Sequence, residues 1–386
     1  MSAAPAMADL LNPAIRSAEF VLPCADLDAT LAFFTTALGM RVAAIFPADA
    51  PQVAVVVGHG LRLRLDSQAR GDPGHLRLLC DAPDTLAGGL RSVVAPNGTR
   101  IEIVDADPPL HVPVLQPAQV VTRASDGAPW HAGRAGLSYR DLIPGRLGGR
   151  FIASHIRLAD GGPVADYVHF HKVRFQMIYC SRGWVRVVYE DQGEPFVMQA
   201  GDCVLQPPRI RHRVLESSAG MEVVEVGCPA LHETVADLDM SLPNKRVAPA
   251  RDFSGQVFVR HVAAAAAWQP WRRPGFEARD LGISAATAGL AGARVVRPDG
   301  SSSMGGQGRA VGPAGPALAL QHAAEFHFVF VCAGAITLVG NEPQRLSAGD
   351  CCTLPAGLPH AWVDASADLE FLEVTLPGSL TETSAA

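Results

Sequence analysis

The chain of 386 residues is long enough for two or three domains. A hydrophobic content of 48% predicts a substantial core, and a charged fraction of only 18% argues against a disordered chain. The net charge of −6, without any basic run, argues against nucleic-acid binding and against a polybasic membrane patch.

Targeting signals and cysteine spacing bear on the cellular compartment. Residues 1–16 lack the basic start and apolar run of a signal peptide, and no apolar stretch reaches about 18 residues without a charge. The eight cysteines form no C-x-x-C motif, which favours reduced thiols over a disulfide framework. We therefore expect a cytoplasmic protein with no membrane span. The adjacent Cys351 and Cys352 are either a redox pair or, more simply, two small strand residues.

Residues 17–107 predict a small α+β domain that begins with the order β-α-β-β-β. Ser17–Pro23 is short and apolar, as a strand is, and Asp26 predicts an N-cap for a helix over Leu27–Leu38. The other predicted strands of this domain are Met40–Phe46, Gln52–Val57, Leu61–Asp66, His75–Cys80 and Thr99–Val104.

This domain resembles a known family. Three stretches are similar to the first module and the last strand of the glyoxalase/vicinal-oxygen-chelate superfamily, namely Glu19–Pro23, Phe33–Met40 and Pro96–Glu102. The resemblance puts that family's metal ligands at Glu19, His75 and Glu102. An arginine, Arg62 or Arg64, stands at the remaining ligand position, and the second half is shorter than a full module. We therefore expect a truncated domain that serves dimerisation or packing and holds no metal.

The rest of the chain reads as a duplicated all-β region after a linker. Residues 108–129 are rich in Pro, Ala and Val without periodicity, which predicts a linker. Beyond it, Tyr139–Ile143 is similar to Ala278–Ile283, and Ala200–Cys203 is similar to Ala348–Cys351. The predicted strands of the first repeat are Phe151–Leu158, Arg174–Cys180, Trp184–Tyr189, Cys203–Gln206 and Glu222–Gly227. Two low-complexity stretches are predicted to be loops, Ala263–Ala267 and Gly300–Gly315.

A metal site is predicted in the first repeat. His169 and His171 form an H-x-H pattern that puts both imidazoles on one face of a strand. If the strands pair across a small barrel, His212 completes a three-histidine set, with Gln176 as a fourth, oxygen donor. Such neutral ligands suit Fe, Zn, Ni or Mn and leave coordination positions open. The alternative is three core histidines that bind nothing.

These residues resemble the two motifs of the cupin superfamily, H-x-H-x4-E-x6-G and G-x5-P-x-G-x2-H. The matching positions are His169, His171, Gln176, Gly183, Gly201, Pro207 and His212. Gln176 replaces the family's glutamate and Arg209 replaces a glycine. The neutral ligand set implies a metal that favours an anionic, chelating substrate. The resemblance implies a mainly β fold of two tandem cupin barrels, each a double-stranded β-helix or jelly roll, behind the small α+β domain.

The second repeat keeps only part of the pattern. Leu320 stands where His169 stands in the first repeat, whereas His322, His327 and His360 remain. The interpretation is open between a second metal site and a vestigial pocket.

Other candidates precede the H-x-H motif. The resemblance places the mouth of the pocket at Trp130, His131, Tyr139, Arg140 and His155. Arg140 is a candidate for holding a substrate carboxylate, although an ordinary salt bridge with an aspartate, at the surface or between domains, is the commoner role of a single arginine. Tyr139, Arg140 and Gln176 are the predicted catalytic residues.

Three functions follow from the resemblance. The leading one is an Fe(II) dioxygenase that cleaves a C–C bond in a β-diketone, hydroxyketone or dihydroxyaromatic. The second is a non-redox Zn or Ni isomerase, cyclase or ring-opening lyase that acts on a keto-sugar or polyketide-like substrate; Gln176 beside three histidines favours this class, although no carboxylate base is evident in the motif strands. The third is a small-ligand binding or sensor protein. A homodimer is expected from the habit of the family.

The predicted division of the chain is a tail over 1–16, a glyoxalase-like domain over 17–107, a linker over 108–129, a first cupin domain over 130–240, a second over 241–380 and a tail over 381–386.

Overall fold

A computed structural model describes residues 16–85, 87–300 and 319–384. The chain forms two compact units, Met1–Pro109 and Leu110–Ala386. No helix in the described part of the chain is long and apolar enough to span a membrane. The tail predicted over 1–16 and the loop predicted over Gly300–Gly315 lie outside the described residues, apart from Arg16 and Gly300.

The N-terminal unit has the predicted β-α-β-β-β order. Its helix begins after Asp26, whose carboxylate accepts from the Ala29 amide, and runs over Leu27–Ala32 before a π-helical turn over Phe33–Ala37. The first sheet contains, in spatial order, Phe20–Pro23, Leu61–Asp66, Val53–Gly58 and Arg41–Phe46. The second sheet contains His75–Cys80, Arg100–Asp105 and Ser92–Val94. The two sheets share one core around Phe34, Val56 and Ile101. The glyoxalase-like assignment stays a prediction.

The second unit consists of two barrels, and the predicted mainly β fold of tandem cupin barrels is correct. The first barrel has two sheets. One contains Val259–His261, Cys203–Leu205, Phe175–Arg182, Met221–Cys228, Ile152–Leu158, Ser138–Asp141 and His131–Ala132. The other contains Phe196–Gln199, Trp184–Tyr189, His212–Ser217, His169–His171 and Thr234–Ala236, with Gly162–Pro163 beside His212–Ser217.

The second barrel repeats this plan. Its long sheet contains Gln269–Pro270, Phe276–Asp280, Gly292–Pro298, Glu370–Leu376, Phe326–Ala333, Cys351–Thr353 and Val120–Thr122. Opposite it lie Gln344–Ser347, Ala335–Val339 and Ala361–Val363, together with the pair Leu320–His322 and Glu382–Ser384. Short helical turns in this unit cover Ala124–Asp126, Arg134–Gly136, Arg146–Gly149, Ala263–Ala265 and Ile283–Ala286.

Each barrel receives an edge strand from the other repeat. Val120–Thr122, inside the predicted linker, pairs with Cys351–Thr353 of the second barrel. Val259–His261, inside the predicted second cupin domain, pairs with Cys203–Leu205 of the first barrel. The linker is therefore not a plain connector, and the boundary at 240/241 does not separate the two barrels. The two repeats exchange strands.

Reciprocal contacts confirm the duplication. Arg140 donates to the Gly349 carbonyl at 3.2 Å, and its counterpart Arg279 donates to the Gly201 carbonyl at 3.4 Å. Between the barrels, the rings of Phe151 and Phe326 stack with centroids 4.2 Å apart in a continuous core.

The predicted C-terminal tail over 381–386 is also structured in part. Glu382–Ser384 forms a strand beside Leu320–His322. Glu382 accepts hydrogen bonds from Arg272 and Arg273. These cations offset the cost of removing the carboxylate charge from water.

Candidate metal centre

Three histidines of the first barrel converge. His169 lies directly opposite His212 in an antiparallel pair, and His171 is two residues along the same strand face. The ring centroids of His169 and His212 are 4.2 Å apart, and each of these rings is 5.2 Å from that of His171. One ring nitrogen from each histidine lies within 4.8 Å of the other two, which is the spacing of a metal-binding group.

Hydrogen bonds fix the orientation of the three imidazoles. Nδ1 of His169 contacts the Tyr167 carbonyl at 2.8 Å, and Nδ1 of His212 contacts the Ile210 carbonyl at 3.0 Å. Because a carbonyl only accepts, these Nδ1 atoms carry the proton and Nε2 keeps its lone pair. Nδ1 of His171 contacts Oγ1 of Thr234 at 2.9 Å. Such partners on the far ring nitrogen are typical of metal-ligating histidines.

The environment keeps these imidazoles neutral. Burial, with Arg134 nearby, lowers the pKa of His169. Burial and the neighbouring His169 lower the pKa of His171 to about 2, and burial holds the pKa of His212 well below its ordinary value. The neutral form, which binds metals, is therefore the form present at neutral pH.

Gln176 is buried beside a carboxylate that the sequence reasoning missed. Its amide nitrogen donates to Oε1 of Glu225, and its own carbonyl oxygen has no hydrogen-bond partner within the described structure. Glu225 lies opposite Ile178 on the neighbouring strand, and only this pairing brings the two side chains together. Because the carboxylate of Glu225 only accepts, it fixes the amide nitrogen of Gln176 on its own side. The carbonyl oxygen of Gln176 then faces away from Glu225 and is available to a metal ion.

Arg134 and Asp166 are two further residues that the sequence reasoning missed. Nη1 of Arg134 donates to Asp166, and Nη2 lies 2.6 Å from Nε2 of His169. The buried Asp166 also accepts from the backbone amides of Tyr167 and Val214, each at 2.9 Å. The guanidinium is thereby fixed against the atom of His169 that a metal would use.

Two of the three histidines, His171 and His212, line a cavity of about 340 Å³, and His169 and Gln176 contact two of its lining residues, Arg134 and Glu225. Its polar lining includes Arg134, Tyr139, His171, Gln206, His212, Glu225, His232 and Thr234. Most of the wall is apolar and includes Leu137, Ile156, Ile178, Val187, Met198, Met221 and Val223. Burial, together with the Glu225 charge, raises the pKa of Tyr139 to about 12, so its phenol stays protonated as a hydrogen-bond donor. The site combines an apolar chamber with a few convergent polar groups.

Arg140 is not among the residues that line this cavity, and its contacts do not support the predicted role in holding a substrate carboxylate. It is buried, contacts Nδ1 of His155 in its own barrel at 3.0 Å and donates to the Gly349 carbonyl of the second barrel. Tyr139 and Arg140 are neighbours on one strand, so their side chains point to opposite faces. Trp130 and His155 pack with Arg140, and none of the three lines the cavity.

The second barrel holds an ion-pair network where the first has its histidine set. The rings of His322, His327 and His360 are 4.9 to 6.2 Å apart, and within the described ranges only the first-barrel set has metal-binding spacing. Arg272 donates to Glu373 and Glu382, both at 2.8 Å, and His327 contacts Glu373 at 3.0 Å. The second metal site is thus not assembled by the structure.

The predicted glyoxalase-type positions are occupied by ion pairs. Glu19 accepts from Arg62 at 2.6 Å, and Glu102 pairs with Arg77 at 2.8 Å and lies 3.8 Å from His75. Among residues 16–85 and 87–109, no three such groups have metal-binding spacing.

The two barrels exchange strands, and the first barrel holds a cluster of three histidines. This arrangement is a bicupin architecture. Residues 310–375 match the family model described as a cupin domain, so the chain contains a cupin domain in its second repeat. No curated protein matches the chain.

Among solved structures the chain is similar to three proteins, with TM-scores of 0.47 to 0.49. A mutant of salicylate 1,2-dioxygenase from Pseudoaminobacter salicylatoxidans is 14% identical, with a TM-score of 0.49 over 71% of this chain and 89% of that one. A mutant of Bacillus subtilis oxalate decarboxylase is 14% identical, with a TM-score of 0.48 over 72% and 82%. The protein Ylba from E. coli is 11% identical, with a TM-score of 0.47 over 70% and 96%. At these identities the likeness is confined to the fold.

Proposed function

We propose that this chain is a metal-dependent bicupin enzyme, an Fe(II) dioxygenase that cleaves a C–C bond in a small chelating substrate. The observation that carries the proposal is the set of three neutral imidazoles, each with a hydrogen-bond partner at Nδ1, of which His171 and His212 line the largely apolar cavity. Substrate classes that suit it are β-diketones, hydroxyketones and dihydroxyaromatics.

The residues present fit a metal ion. His169, His171 and His212 would hold it, and the unpartnered carbonyl oxygen of Gln176 would be the fourth donor. Because all four donors are neutral, the ion keeps its full charge and favours an anionic chelating ligand. When bound, Fe(II) supplies the redox chemistry that lets dioxygen react with an electron-rich substrate.

The protein's own groups bind and orient the substrate. The apolar wall of the cavity excludes water and packs the hydrocarbon part. Glu225 lines the cavity and can accept the proton that a hydroxyl or enol group loses on chelation. Tyr139, protonated at neutral pH, can donate to a substrate oxygen.

A second candidate is a non-redox Zn or Ni isomerase, cyclase or ring-opening lyase. Glu225 favours it, because proton transfer at a carbon atom needs a base beside the metal-polarised carbonyl and the structure supplies one. A ligand-binding role without catalysis is the third candidate. Homodimerisation stays a prediction.

The test is metal analysis of tag-free protein, followed by turnover with and without dioxygen. We expect about one iron per chain, lost in His212→Ala and kept in the matched second-barrel variant His360→Ala. Oxygen uptake with a diketone or catechol supports the dioxygenase. Zinc or nickel with anaerobic turnover moves the non-redox enzyme to first place, and absence of metal after reconstitution overturns both enzyme proposals.

A further inference from the structure

Among the described residues that line the first-barrel cavity, Arg134 is the only lysine or arginine. Its side chain is about a quarter exposed, whereas that of its partner Asp166 is almost fully buried. The carboxylate of Asp166 is also held by two backbone amides, so it cannot follow the arginine if the arginine moves. Nη1 is thus anchored, and Nη2 is the donor that faces the histidine set.

The contact between Nη2 and His169 is incompatible with a bound metal. At 2.6 Å, the guanidinium uses the lone pair on Nε2 that a metal ion would need. Entry of the ion must displace Nη2, which then lies beside a second positive charge in a partly desolvated cavity. Like charges in such surroundings repel strongly unless an anion lies between them.

We infer that Arg134 is a specificity-determining residue that binds the carboxylate of an anionic substrate at the metal centre. This inference rests on the proposed metal-dependent function and requires a carboxylate in the chelating substrate, as in a hydroxyaromatic acid or, beyond the classes named above, a 2-oxo acid. Asp166 holds Nη1, and Nη2 donates a charge-assisted hydrogen bond to the substrate once the metal has taken Nε2 of His169. Glu225 is the one carboxylate that lines the cavity, and its contact with the Gln176 amide holds it beside that residue rather than beside Arg134.

The same geometry gives Arg134 two opposite effects. Without an anion it competes with the metal for His169, so its removal strengthens metal binding. With the metal bound it attracts the anion, so its removal weakens anion binding. Removing a residue that merely supports the fold would not raise the metal affinity while it lowers the anion affinity.

The experiment compares wild type, Arg134→Met and Arg134→Lys with Arg182→Met, a matched control whose side chain is exposed and outside the cavity. Cobalt(II) is titrated into metal-free protein by visible absorption. Benzoylformate and its neutral isostere 1-phenylpropane-1,2-dione are then titrated calorimetrically into the cobalt-loaded proteins. Thermal denaturation shows that each variant is folded.

We expect Arg134→Met to bind cobalt more tightly than wild type and to bind benzoylformate about tenfold or more weakly. The neutral dione should bind both proteins equally, and lysine should restore part of the anion affinity. Equal benzoylformate affinity in wild type and Arg134→Met overturns the inference.

Failure of the metal proposal is distinguishable from failure of the inference. If wild type does not bind cobalt, the metal-dependent function is overturned, and benzoylformate is titrated into the metal-free proteins instead. Binding that is lost in Arg134→Met then supports the arginine as the anion-binding residue, and binding that is unchanged overturns it.

Discussion

At the scale of single residues, the contact between Gln176 and Glu225 decides which atom of the amide faces away from the carboxylate. The glutamine is almost fully buried, and its nitrogen has Glu225 as its acceptor. A partner of this kind orients a ligand without touching the metal, and its loss commonly weakens metal binding by about 10- to 100-fold. Glu225 therefore supports the centre as well as lining the cavity.

We predict that Glu225→Leu lowers cobalt affinity by about tenfold, because the amide of Gln176 is no longer held. The measurement is the cobalt titration of metal-free protein, with Glu216→Leu as the control, since Glu216 is a partly exposed strand residue paired with Arg186. Unchanged affinity in a folded Glu225→Leu protein would show that Gln176 is not a ligand.

The residues that could be predicted from the sequence are those whose neighbours are local. The H-x-H pattern places His169 and His171 on one face by strand alternation alone, and the motif spacing supplies His212. Glu225 reaches the site through pairing between strands that are distant in sequence, and Arg134 reaches it from the turn that precedes Ser138–Asp141; no local pattern records either contact. Tyr139 and Arg140 are neighbours on one strand, and only Tyr139 lines the cavity. The sequence does not tell which face of this strand meets the cavity, so it could not separate the two residues.

At the scale of secondary-structure elements, one aspartate in each repeat joins a turn to the exchanged strand. Asp202 accepts from the Gln199 amide in its own turn and from the Ala263 amide after the exchanged strand, both at 2.8 Å. Asp350 does the same with Ser347 and Ala124, again at 2.8 Å. The aspartate of the Gly-Asp pair, which occurs once in each repeat, thus hydrogen-bonds the strand contributed by one repeat to the barrel of the other.

We predict that Asp202→Ala lowers the free energy of unfolding by about 2 kcal/mol, because two partly buried backbone amides, those of Gln199 and Ala263, lose their acceptor. Urea denaturation measures it, and Asp160→Ala, at an exposed turn, is the control. A loss no larger than that of the control would mean that the strand exchange does not depend on this carboxylate.

Strand exchange also explains why the predicted division of the chain was too simple. Residues 108–129 have the composition of a linker, and most of them form no regular structure. Val120–Thr122 nevertheless completes a sheet of the second barrel. A three-residue strand has too few residues for a periodic signal. Its partner lies more than 200 positions away, so only the duplicated architecture could have pointed to it.

At the scale of the whole molecule, Glu325 connects the barrels through charge. The carboxylate precedes a strand of the second barrel and accepts from Arg150 at 2.6 Å and from Arg174 at 3.0 Å, both in the first barrel. Burial alone would raise the pKa of Glu325, but the hydrogen bonds from the two arginines outweigh it and lower that pKa. The ionised form of Glu325 therefore stabilises the interface between the two barrels.

The sign of the pH dependence follows from this lowered pKa. The unfolded chain takes up the proton at a higher pH than the folded chain does, so the stabilisation is present at neutral pH. It is lost as the pH falls below the ordinary glutamate value of about 4.3. Glu325→Gln should cost about 1 kcal/mol of unfolding free energy at pH 7, a figure reduced by solvent screening of the partly exposed pair.

At low pH the wild-type carboxyl is protonated and resembles glutamine, so the difference between the two proteins should disappear. Urea denaturation at neutral pH and at a pH below the lowered pKa of folded Glu325 measures both values, and Glu342→Gln, exposed on the second barrel, controls for the lost charge. A difference between wild type and Glu325→Gln that persists unchanged in acid would mean that the glutamate acts through packing. The two barrels would then be held together by their shared apolar core rather than by this ion pair.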